Sequence, residues 1–391
     1  MKEADTLSHE PFRLENALCS ALSLKGVVLA GVELGNEINW TDFNGDFPIP
    51  GQGKSFTFDD LSRDPEARQV AQGFLQYLKV LAVLKEVRDH SKLNQHRMKP
   101  KLAAFPKCYL DELCVHRTMT PRDWIEIGAT LGVDGLEFFS GFIEDNEAFL
   151  RETKALLEKH GLEMPMMCCS PDFTEPDPEL LEAQIVMERR MIAITAFFGG
   201  RYCRVLSGQR RPGLAIDAGI AKVVRIIRSL LPCAEEHGVI MAMENHYKDS
   251  YWLYPEFAQP MKIFTAILEQ INSPWLGVNF DPSNTLLAGE DPLELLERVK
   301  HRVVSMHASD RYLSSGTLED LRKEEDAIGY AKRLSHGIIG KGLNDYDKIF
   351  STLKSVGFSS WISIEDGLNG VEDLRESVSF LRAKIDEHFP E

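Results

Sequence analysis

From residue 101 onward, short apolar segments rich in β-forming residues alternate with longer amphipathic segments. This alternation constrains the fold most, because strands joined by helical connections pair in parallel and bury both faces of their sheet. The segments that read as buried strands are KLAAFP (101–106), VDGLEFF (133–139), LEMPMMCC (162–169), YCRVLS (202–207), GVIMAME (238–244), WLGVNFD (275–281), RVVSMHA (302–308) and WISIED (361–366). Eight strands with their helices over about 290 residues match a (β/α)8 barrel in number and size. A doubly wound open sheet is the alternative.

The intervening segments have the apolar periodicity of helices. Examples are TPRDWIEIGATLG, AIDAGIAKVVRIIRSLLPCAEEHG, PLELLERV and DYDKIFSTLKSVG. Several of them end at a glycine just before the next strand, as helix C-caps do. The sequence therefore predicts an α/β chain in which residues 99–391 form a TIM barrel, preceded by an N-terminal extension over residues 1–98.

The charge and cysteine content restrict the partners. The chain has 44 Lys and Arg against 60 Asp and Glu, a formal net charge of −16. Nucleic acid and anionic membranes are therefore not expected as partners. Seven cysteines form an odd set without a CxxC motif, which indicates reduced thiols and a cytoplasmic location. No run approaches the roughly 20 apolar residues of a membrane helix.

Polar groups that are costly to bury stand where the later apolar runs stop. In a (β/α)8 barrel these strand ends meet at the face that carries the active site. Taken singly, each has an ordinary explanation: a loop or turn acid, a helix cap or a core histidine. Taken together they predict a site for one divalent ion, Mn²⁺, Mg²⁺, Co²⁺ or Zn²⁺. The predicted ligands are Glu244, Asp281, His307 and Glu365.

Residues from about 101 to 385 resemble the xylose isomerase-like barrel superfamily of sugar isomerases and epimerases. The resemblance is carried by GVDGLEFF, HGVIMAMENH, LGVNFDPSN, VVSMHASD and HGIIGKGLNDYDKIFSTLKSVGFSSWISIEDG. It implies that the strand-end set named above holds one metal, because the family's ligands are a strand-five Glu, a strand-six Asp, a strand-seven His and a strand-eight Glu. The superfamily also includes inosose dehydratases and endonuclease IV, so it does not specify a substrate. The acidic net charge and the few strand-end histidines disfavour a nuclease.

One departure from the epimerase pattern concerns the substrate pocket. Many epimerases of this family have a histidine three positions after the strand-six Asp, where it helps to bind substrate. Asn284 stands at that position here, and His246 is the candidate to supply the missing imidazole from strand five.

The residue types predict proton transfer beside a carbonyl. A divalent ion bound by two oxygens of a ketose stabilises an enediolate, and a carboxylate can then remove the adjacent proton. Glu244 and Glu365 are the predicted catalytic pair, acting from opposite faces of a planar intermediate in an epimerase. If one of them serves both steps, the outcome is aldose–ketose isomerisation. The alternative is a metal-dependent lyase or dehydratase that acts on keto-sugars or 3-keto-glycosides by β-elimination.

Further side chains are predicted to contact a small carbohydrate substrate. Lys107 and Arg311 are equally well explained as solvated surface charges. The long charged connection over residues 310–340 is predicted as a surface helix, with a lid or a subunit contact as the alternative, and a homo-oligomer is left open. The predicted substrate-binding residues are Lys107, Glu137, His246, Asn284, Arg311 and His336.

The N-terminal extension contains GVELGNEINWTDFNGDFPIPGQG (31–53), which resembles the strand-four region of retaining barrel glycosidases. Asn36 and Glu37 match the Asn-Glu pair that supplies the acid/base there. A retaining glycosidase needs a second carboxylate at about 5 Å, and so short a segment lacks the strands to carry it. The extension is therefore interpreted as a glycosidase-like fragment or fusion remnant.

Overall fold

The chain divides into two compact units in the computed structural model, residues 1–96 and 97–391. The structure describes residues 99–249, 252–321, 323, 333–366 and 369–390, together with four two-residue strands in the first unit. These short strands pair antiparallel, Phe12–Arg13 with Glu37–Ile38 and Phe47–Pro48 with Ser55–Phe56.

The rest of the first unit, including Asn36, lies outside the described residues. The interpretation of residues 1–98 as a glycosidase-like fragment or fusion remnant therefore stays a prediction.

The second unit is a parallel barrel whose strands lie where the sequence predicts them. They are β1 (Lys101–Ala104), β2 (Gly135–Leu136 and Phe138–Phe139), β3 (Met166–Cys168), β4 (Tyr202–Val205), β5 (Ile240–Glu244), β6 (Leu276–Phe280), β7 (Val303–Ala308) and β8 (Trp361–Ile364). Each strand pairs in parallel with its neighbours in chain order, and β8 pairs with β1. The prediction of an α/β barrel is confirmed.

Closure of the barrel runs through β2, which is interrupted at Glu137. Its first segment pairs with β1 and its second with β3, so the ring of strands is continuous across this one residue. Gly135 also forms a bridge with Glu163, just before β3. A Cβ on Gly135 would lie 2.6 Å from the Glu163 carbonyl oxygen, so only glycine permits this approach. Closure excludes the doubly wound open sheet.

Helices surround the strands. They are α1 (Pro121–Gly128), α2 (Glu147–His160), α3 (Pro178–Phe198), α4 (Ile216–His237), α5 (Met261–Glu269), α6 (Pro282–Leu287), α7 (Pro292–Val299), α8 (Tyr346–Ser355) and α9 (Val371–His388). Helices α2, α3 and α4 end at Gly161, Gly199 and Gly238, each in the left-handed conformation that glycine adopts without strain. Among the described residues, none of the helices combines the length and apolarity needed to cross a bilayer.

The core lies in two layers because both faces of the strands are covered. Side chains such as Ala242 and Met306 are fully buried on the barrel strands, and Ile192, Ile227 and Phe350 are buried on the surrounding helices. Burial of an aliphatic or aromatic side chain of this size contributes about 1.5–3 kcal/mol. The polar ends of the strands are thus held on a rigid scaffold.

The connection between β7 and β8 begins with a hairpin. Arg311–Leu313 pairs antiparallel with Leu334–His336, so Arg311 lies opposite His336. Residues 318–321 and 323 are helical, as predicted for the start of the surface helix. Residues 322 and 324–332 lie outside the described part of the chain, so the lid stays a prediction.

Asp310 organises the end of this connection. Its buried carboxylate accepts backbone N–H groups of Arg311 (2.9 Å), Gly340 (3.0 Å), Gly342 (2.9 Å) and Asn344 (3.1 Å). A Cβ on Gly342 would lie 2.2 Å from Asp310 Oδ1, so the backbone can approach the carboxylate only at a glycine. The Asp310 side chain therefore accepts four backbone N–H groups that would otherwise need a helix or a strand as their hydrogen-bond partner.

Replacing Asp310 by Ala leaves these buried N–H groups without their acceptor. We expect the free energy of unfolding of the barrel to fall by about 2–4 kcal/mol, because a buried unsatisfied donor costs about 1–3 kcal/mol and water can reach some of the four. Urea unfolding followed by far-UV circular dichroism measures the change. Glu152→Ala, an exposed position on α2, is the control and should stay within about 0.5 kcal/mol of the parent. Equal stability of the two variants would contradict this role of Asp310.

Candidate active site

The strand-end residues predicted as metal ligands come together at the C-terminal face of the barrel. Glu244 ends β5, Asp281 follows β6, His307 lies near the end of β7 and Glu365 follows β8. One ligand atom from each lies within 4.8 Å of the others, and all of these side chains are buried. The geometry is that of a single site, as the convergence of barrel strands requires.

Asp281 is both a member of this group and a helix cap. Its Oδ1 accepts hydrogen bonds from the backbone N–H groups of Ser283 (2.7 Å) and Asn284 (3.1 Å), which begin α6. The same oxygen accepts the Ser309 hydroxyl at 2.8 Å. The capping explanation of Asp281 and its place in the cluster are therefore both present in the structure, and the cap holds the carboxylate in one orientation.

His307 has a carboxylate on each side of its ring. Nδ1 lies 3.3 Å from Glu244 Oε1 and 3.4 Å from Glu365 Oε2, whereas Nε2 lies 2.9 Å from Glu137 Oε2. Burial opposes a charge on the imidazole, yet the surrounding Glu137, Glu244 and Glu365 raise the pKa of His307 well above its usual value. A carboxylate on the far nitrogen is the usual way in which a metal-binding histidine is oriented, and it leaves Nδ1 directed at the cluster.

Arg204 on β4 is a member of the site that sequence reasoning missed. Its Nη1 donates to Glu244 Oε2 at 2.9 Å and lies 3.9 Å from Glu365 Oε1. Nε donates to the Cys169 carbonyl and Nη2 to the Ser170 hydroxyl, both at 3.1 Å. The signal was an arginine inside the apolar run YCRVLS, since a charge in a strand buried on both faces needs a partner.

The pKa values of the three carboxyl groups shift in different directions in this environment. Burial, together with Glu365 and Glu244, raises the pKa of Asp281 to about 8. Burial also opposes charge on Glu244, but His307 and Arg204 lower the pKa of this group below its usual value. For Glu365 the same burial is outweighed by Lys107 and His307, which hold its pKa well below the usual range. Of the three carboxyl groups, only Asp281 is thus disfavoured in its charged form.

These residues fit a divalent cation. Carboxylate oxygens and one imidazole are the donors that Mn²⁺, Mg²⁺, Co²⁺ and Zn²⁺ accept in proteins. The raised pKa of Asp281 reflects its burial and then the nearby Glu365 and Glu244, and a bound cation would favour the charged form of the carboxylate. Glu244, Asp281, His307 and Glu365 are the residues that could hold it.

Three of the predicted substrate-binding residues line the same region. Asn284 Nδ2 donates to Glu244 Oε1 at 3.2 Å, and Lys107 Nζ lies 3.7 Å from Glu365 Oε2. His246 is buried and stacks on Tyr247 with 5.1 Å between ring centroids. Burial lowers the pKa of His246, so a neutral imidazole is available there.

The other three predicted residues have different environments. Glu137 is fully buried beneath His307 and orients its ring, so its predicted contact with substrate is untested. Arg311 is buried rather than exposed at the surface, and the ring of Tyr247 lies 6.0 Å from its guanidinium carbon. His336 lies opposite Arg311, with Nδ1 3.3 Å from Asp366 Oδ1.

Comparison with known proteins shows what this barrel is similar to. A curated relative is the 3-oxo-isoapionate decarboxylase of Pectobacterium atrosepticum, 26% identical over 133 residues, which cover 34% of this chain and 41% of the relative. The chain therefore spans less than half of that relative's length.

Solved structures resemble the barrel more completely. The IOLI protein with a bound zinc atom has a TM-score of 0.59 and 16% identity, over 74% of this chain and 100% of that one. The 3-keto-D-glucoside 4-epimerase of E. coli has a TM-score of 0.56 and 16% identity, over 73% and 100%. The probable 3-DHS dehydratase of Bacillus anthracis has a TM-score of 0.56 and 17% identity, over 72% and 98%.

The family assignment is independent of these neighbours. The sequence model of the xylose isomerase-like TIM barrel matches residues 125–384, about two thirds of the chain, from α1 to α9. Both the closed barrel and the strand-end residues lie within or beside the matched region. The chain belongs to the xylose isomerase-like TIM barrel family.

Proposed function

We propose that this protein is a divalent-metal-dependent sugar isomerase or epimerase that moves a proton on the carbon beside a carbonyl. The observation that carries the proposal is the paired environment of Glu244 and Glu365. Each directs one carboxylate oxygen to His307 Nδ1, at 3.3 and 3.4 Å, and the other towards Arg204 Nη1, at 2.9 and 3.9 Å. Two equivalent carboxylates reaching one point from β5 and β8 suit proton removal and return.

Glu244, Asp281, His307 and Glu365 would hold the metal. When bound, a divalent ion acts as a Lewis acid that polarises the substrate carbonyl and acidifies the adjacent C–H. Nδ1 of His307 is the nitrogen directed at the cluster, while Glu137 on Nε2 fixes the ring.

The carboxylates of the chain have two different roles, anchoring and proton transfer. Asp281 Oδ1 is already engaged by Ser283, Asn284 and Ser309, so this side chain is an anchor rather than a proton acceptor. Glu244 and Glu365 have no such cap, and each can take a proton in turn. If one abstracts and the other returns it, the carbon inverts; if one does both, the proton moves between neighbouring carbons.

Arg204 keeps these carboxylates ready to accept a proton. A buried glutamate unpaired with any cation would be neutral at pH 7, because burial disfavours its charged form. The guanidinium at 2.9 Å from Glu244 offsets that penalty and is fixed by Ser170 and the Cys169 carbonyl. Arg204 therefore acts as a positioning residue for the catalytic pair.

A second candidate function is metal-dependent elimination from a keto-sugar or 3-keto-glycoside. It is favoured by the dehydratase among the similar structures. The two reactions share the first proton abstraction and differ only in whether a group leaves the next carbon. The same residues would serve both, so the product decides between them.

Incubation with keto-sugars and 3-keto-glycosides in D2O separates these functions. For the metal-loaded protein we expect deuterium to enter the substrate carbon beside the carbonyl without net loss of a group, because proton return follows abstraction. NMR and mass spectrometry of the recovered sugar measure this. Release of water, an alcohol or an aglycone would instead assign elimination. Absence of both from every substrate would count against the proposed reaction class.

Metal content tests the ligand set directly. Asp281→Asn and His307→Ala should each lower the bound metal per chain sharply, because the first replaces a charged ligand oxygen by a neutral amide oxygen and the second removes the imidazole. Inductively coupled plasma mass spectrometry on the folded, dialysed proteins gives the stoichiometry. Glu256→Gln is the matched control: Glu256 is also buried, and burial raises its pKa to about 8, so the amide resembles its neutral form. Full metal occupancy in both ligand variants would refute the site.

The glutamate pair can be separated from simple metal binding. Glu244→Gln and Glu365→Gln should each lose about 10²- to 10⁴-fold in turnover at saturating metal, because glutamine offers a ligand oxygen but accepts no proton. The substrate carbon's exchange with D2O, followed from each epimer separately, is the measurement. The two variants should retain exchange from opposite epimers.

Asp281→Asn provides the comparison for these two variants. Its loss of rate should be recovered in part by added metal, because Asp281 is proposed to contribute only as a ligand. Complete recovery of both glutamate variants by metal would leave Glu244 and Glu365 as ligands without a proton-transfer role.

A further inference from the structure

Arg311 carries a buried guanidinium with unused donors. Its side chain is among the largest fully buried ones, at 1% relative exposure. Among the described residues, its Nε and Nη1 have no hydrogen-bond partner. Burial of a charge is costly unless the charge is paired and hydrogen-bonded, so this arginine is unusual in its own structure.

Arg204 shows how the same protein treats a buried arginine that has a structural partner. It is similarly buried, but its guanidinium bonds Glu244, the Ser170 hydroxyl and the Cys169 carbonyl. Arg311 has no comparable set, although the ring of Tyr247 lies 6.0 Å from its guanidinium carbon. An aromatic face attracts a cation but does not accept its N–H groups in the plane of the guanidinium. Nε and Nη1 of Arg311 are therefore free for a ligand.

Arg311 lies at the edge of the candidate active site. Tyr247, which faces it, stacks on His246, two residues beyond Glu244. On the other side, Arg311 pairs in register with His336, whose Nδ1 lies 3.3 Å from Asp366, the residue after Glu365. The guanidinium is thus bounded by neighbours of both proposed catalytic glutamates.

The nearby carboxylates are committed to other donors. Glu365 has the Lys107 ammonium at 3.7 Å, and Asp366 accepts the Asp310 backbone N–H at 3.1 Å. Both oxygens of Asp310 accept backbone N–H groups, including that of Arg311 itself. Among the described residues, no carboxylate is within ion-pair distance of the Arg311 guanidinium.

We infer that the substrate carries an oxyanion, a carboxylate or a phosphate, which Arg311 binds while the carbonyl end of the substrate reaches the metal set. The inference rests on the proposed function and narrows its substrate class from neutral ketoses to anionic keto-sugars. The planar fork of arginine matches both oxyanions, forming two parallel N–H to oxygen bonds. Lys107, which is partly exposed, adds a second positive charge to the same edge.

Isothermal titration of the metal-loaded protein tests the inference without requiring turnover. The probes are D-fructose as the neutral ketose, 5-keto-D-gluconate as the carboxylate and D-fructose 6-phosphate as the phosphate. We expect at least one anionic probe to bind at least about tenfold more tightly than D-fructose, because truncating one partner of a buried charge pair typically costs more than that. The tighter of the two anions identifies the oxyanion.

Arg311→Met keeps the length of the side chain and removes its charge. We expect this variant to lose the preference for the anionic probe while its affinity for D-fructose changes less than about twofold. Arg298→Met, at an exposed position on α7, is the matched control and should keep the preference. Arg311→Lys should retain part of it, because lysine supplies the charge without the fork.

Thermal unfolding without ligand separates this role from a structural one. Removing an unpaired buried charge should leave the melting temperature of Arg311→Met equal to or above that of the parent. A lower melting temperature with an unchanged anion preference would overturn the inference and make Arg311 structural. Equal binding of neutral and anionic probes by the parent protein would overturn it as well. Deuterium exchange into a neutral ketose would still uphold the proposed function, so the two failures are distinguishable.

Discussion

Repulsion among the buried carboxylates of Glu244, Asp281 and Glu365 is the constraint on which the rest of the site depends. Barrel closure brings these groups within a few ångströms of one another, and their burial reduces screening by solvent. The neighbouring side chains offset this repulsion or hold the carboxylates in place. Arg204 lies between the two glutamates and His307 bridges them, while three donors fix Asp281. A divalent cation is the remaining contribution that such a cluster accommodates.

Much of this arrangement could be predicted from the sequence because two regularities agree. The alternation of apolar strands and amphipathic helices indicates the barrel, and the barrel then directs attention to the residue that ends each strand. Glu244, Asp281, His307 and Glu365 stand at those ends, so their convergence follows from strand order alone. The helix C-caps were predictable for a similar local reason, since glycine next to a periodic segment relieves a left-handed backbone.

The parts that could not be predicted depend on side chains meeting across the closed ring. Arg204 lies inside β4, and its partner Glu244 is 40 residues away in sequence. Glu137 was predicted as a contact of the substrate, but its hydrogen bond to His307, 170 residues away, follows from no local pattern. Arg311 read equally well as a surface charge, because its burial depends on pairing with Leu334–His336, a register that no local pattern specifies. The reaction product could not be predicted from the sequence either. Epimerases and dehydratases share this fold, so the barrel identifies the face where the reaction occurs rather than the product.

The hairpin between β7 and β8 is joined to the barrel in a way that lets selection on substrate recognition act separately from selection on the proton chemistry. Its strands form their own two-stranded sheet, and the backbone that follows is held by Asp310 rather than by the barrel's hydrogen bonds. Changes in this segment can therefore alter what lies opposite Arg311 without moving the ends of β5 to β8. Such a module can diversify by insertion or recombination while the reaction centre is inherited unchanged. Related barrels would then differ in the molecules they accept sooner than in the proton chemistry they perform.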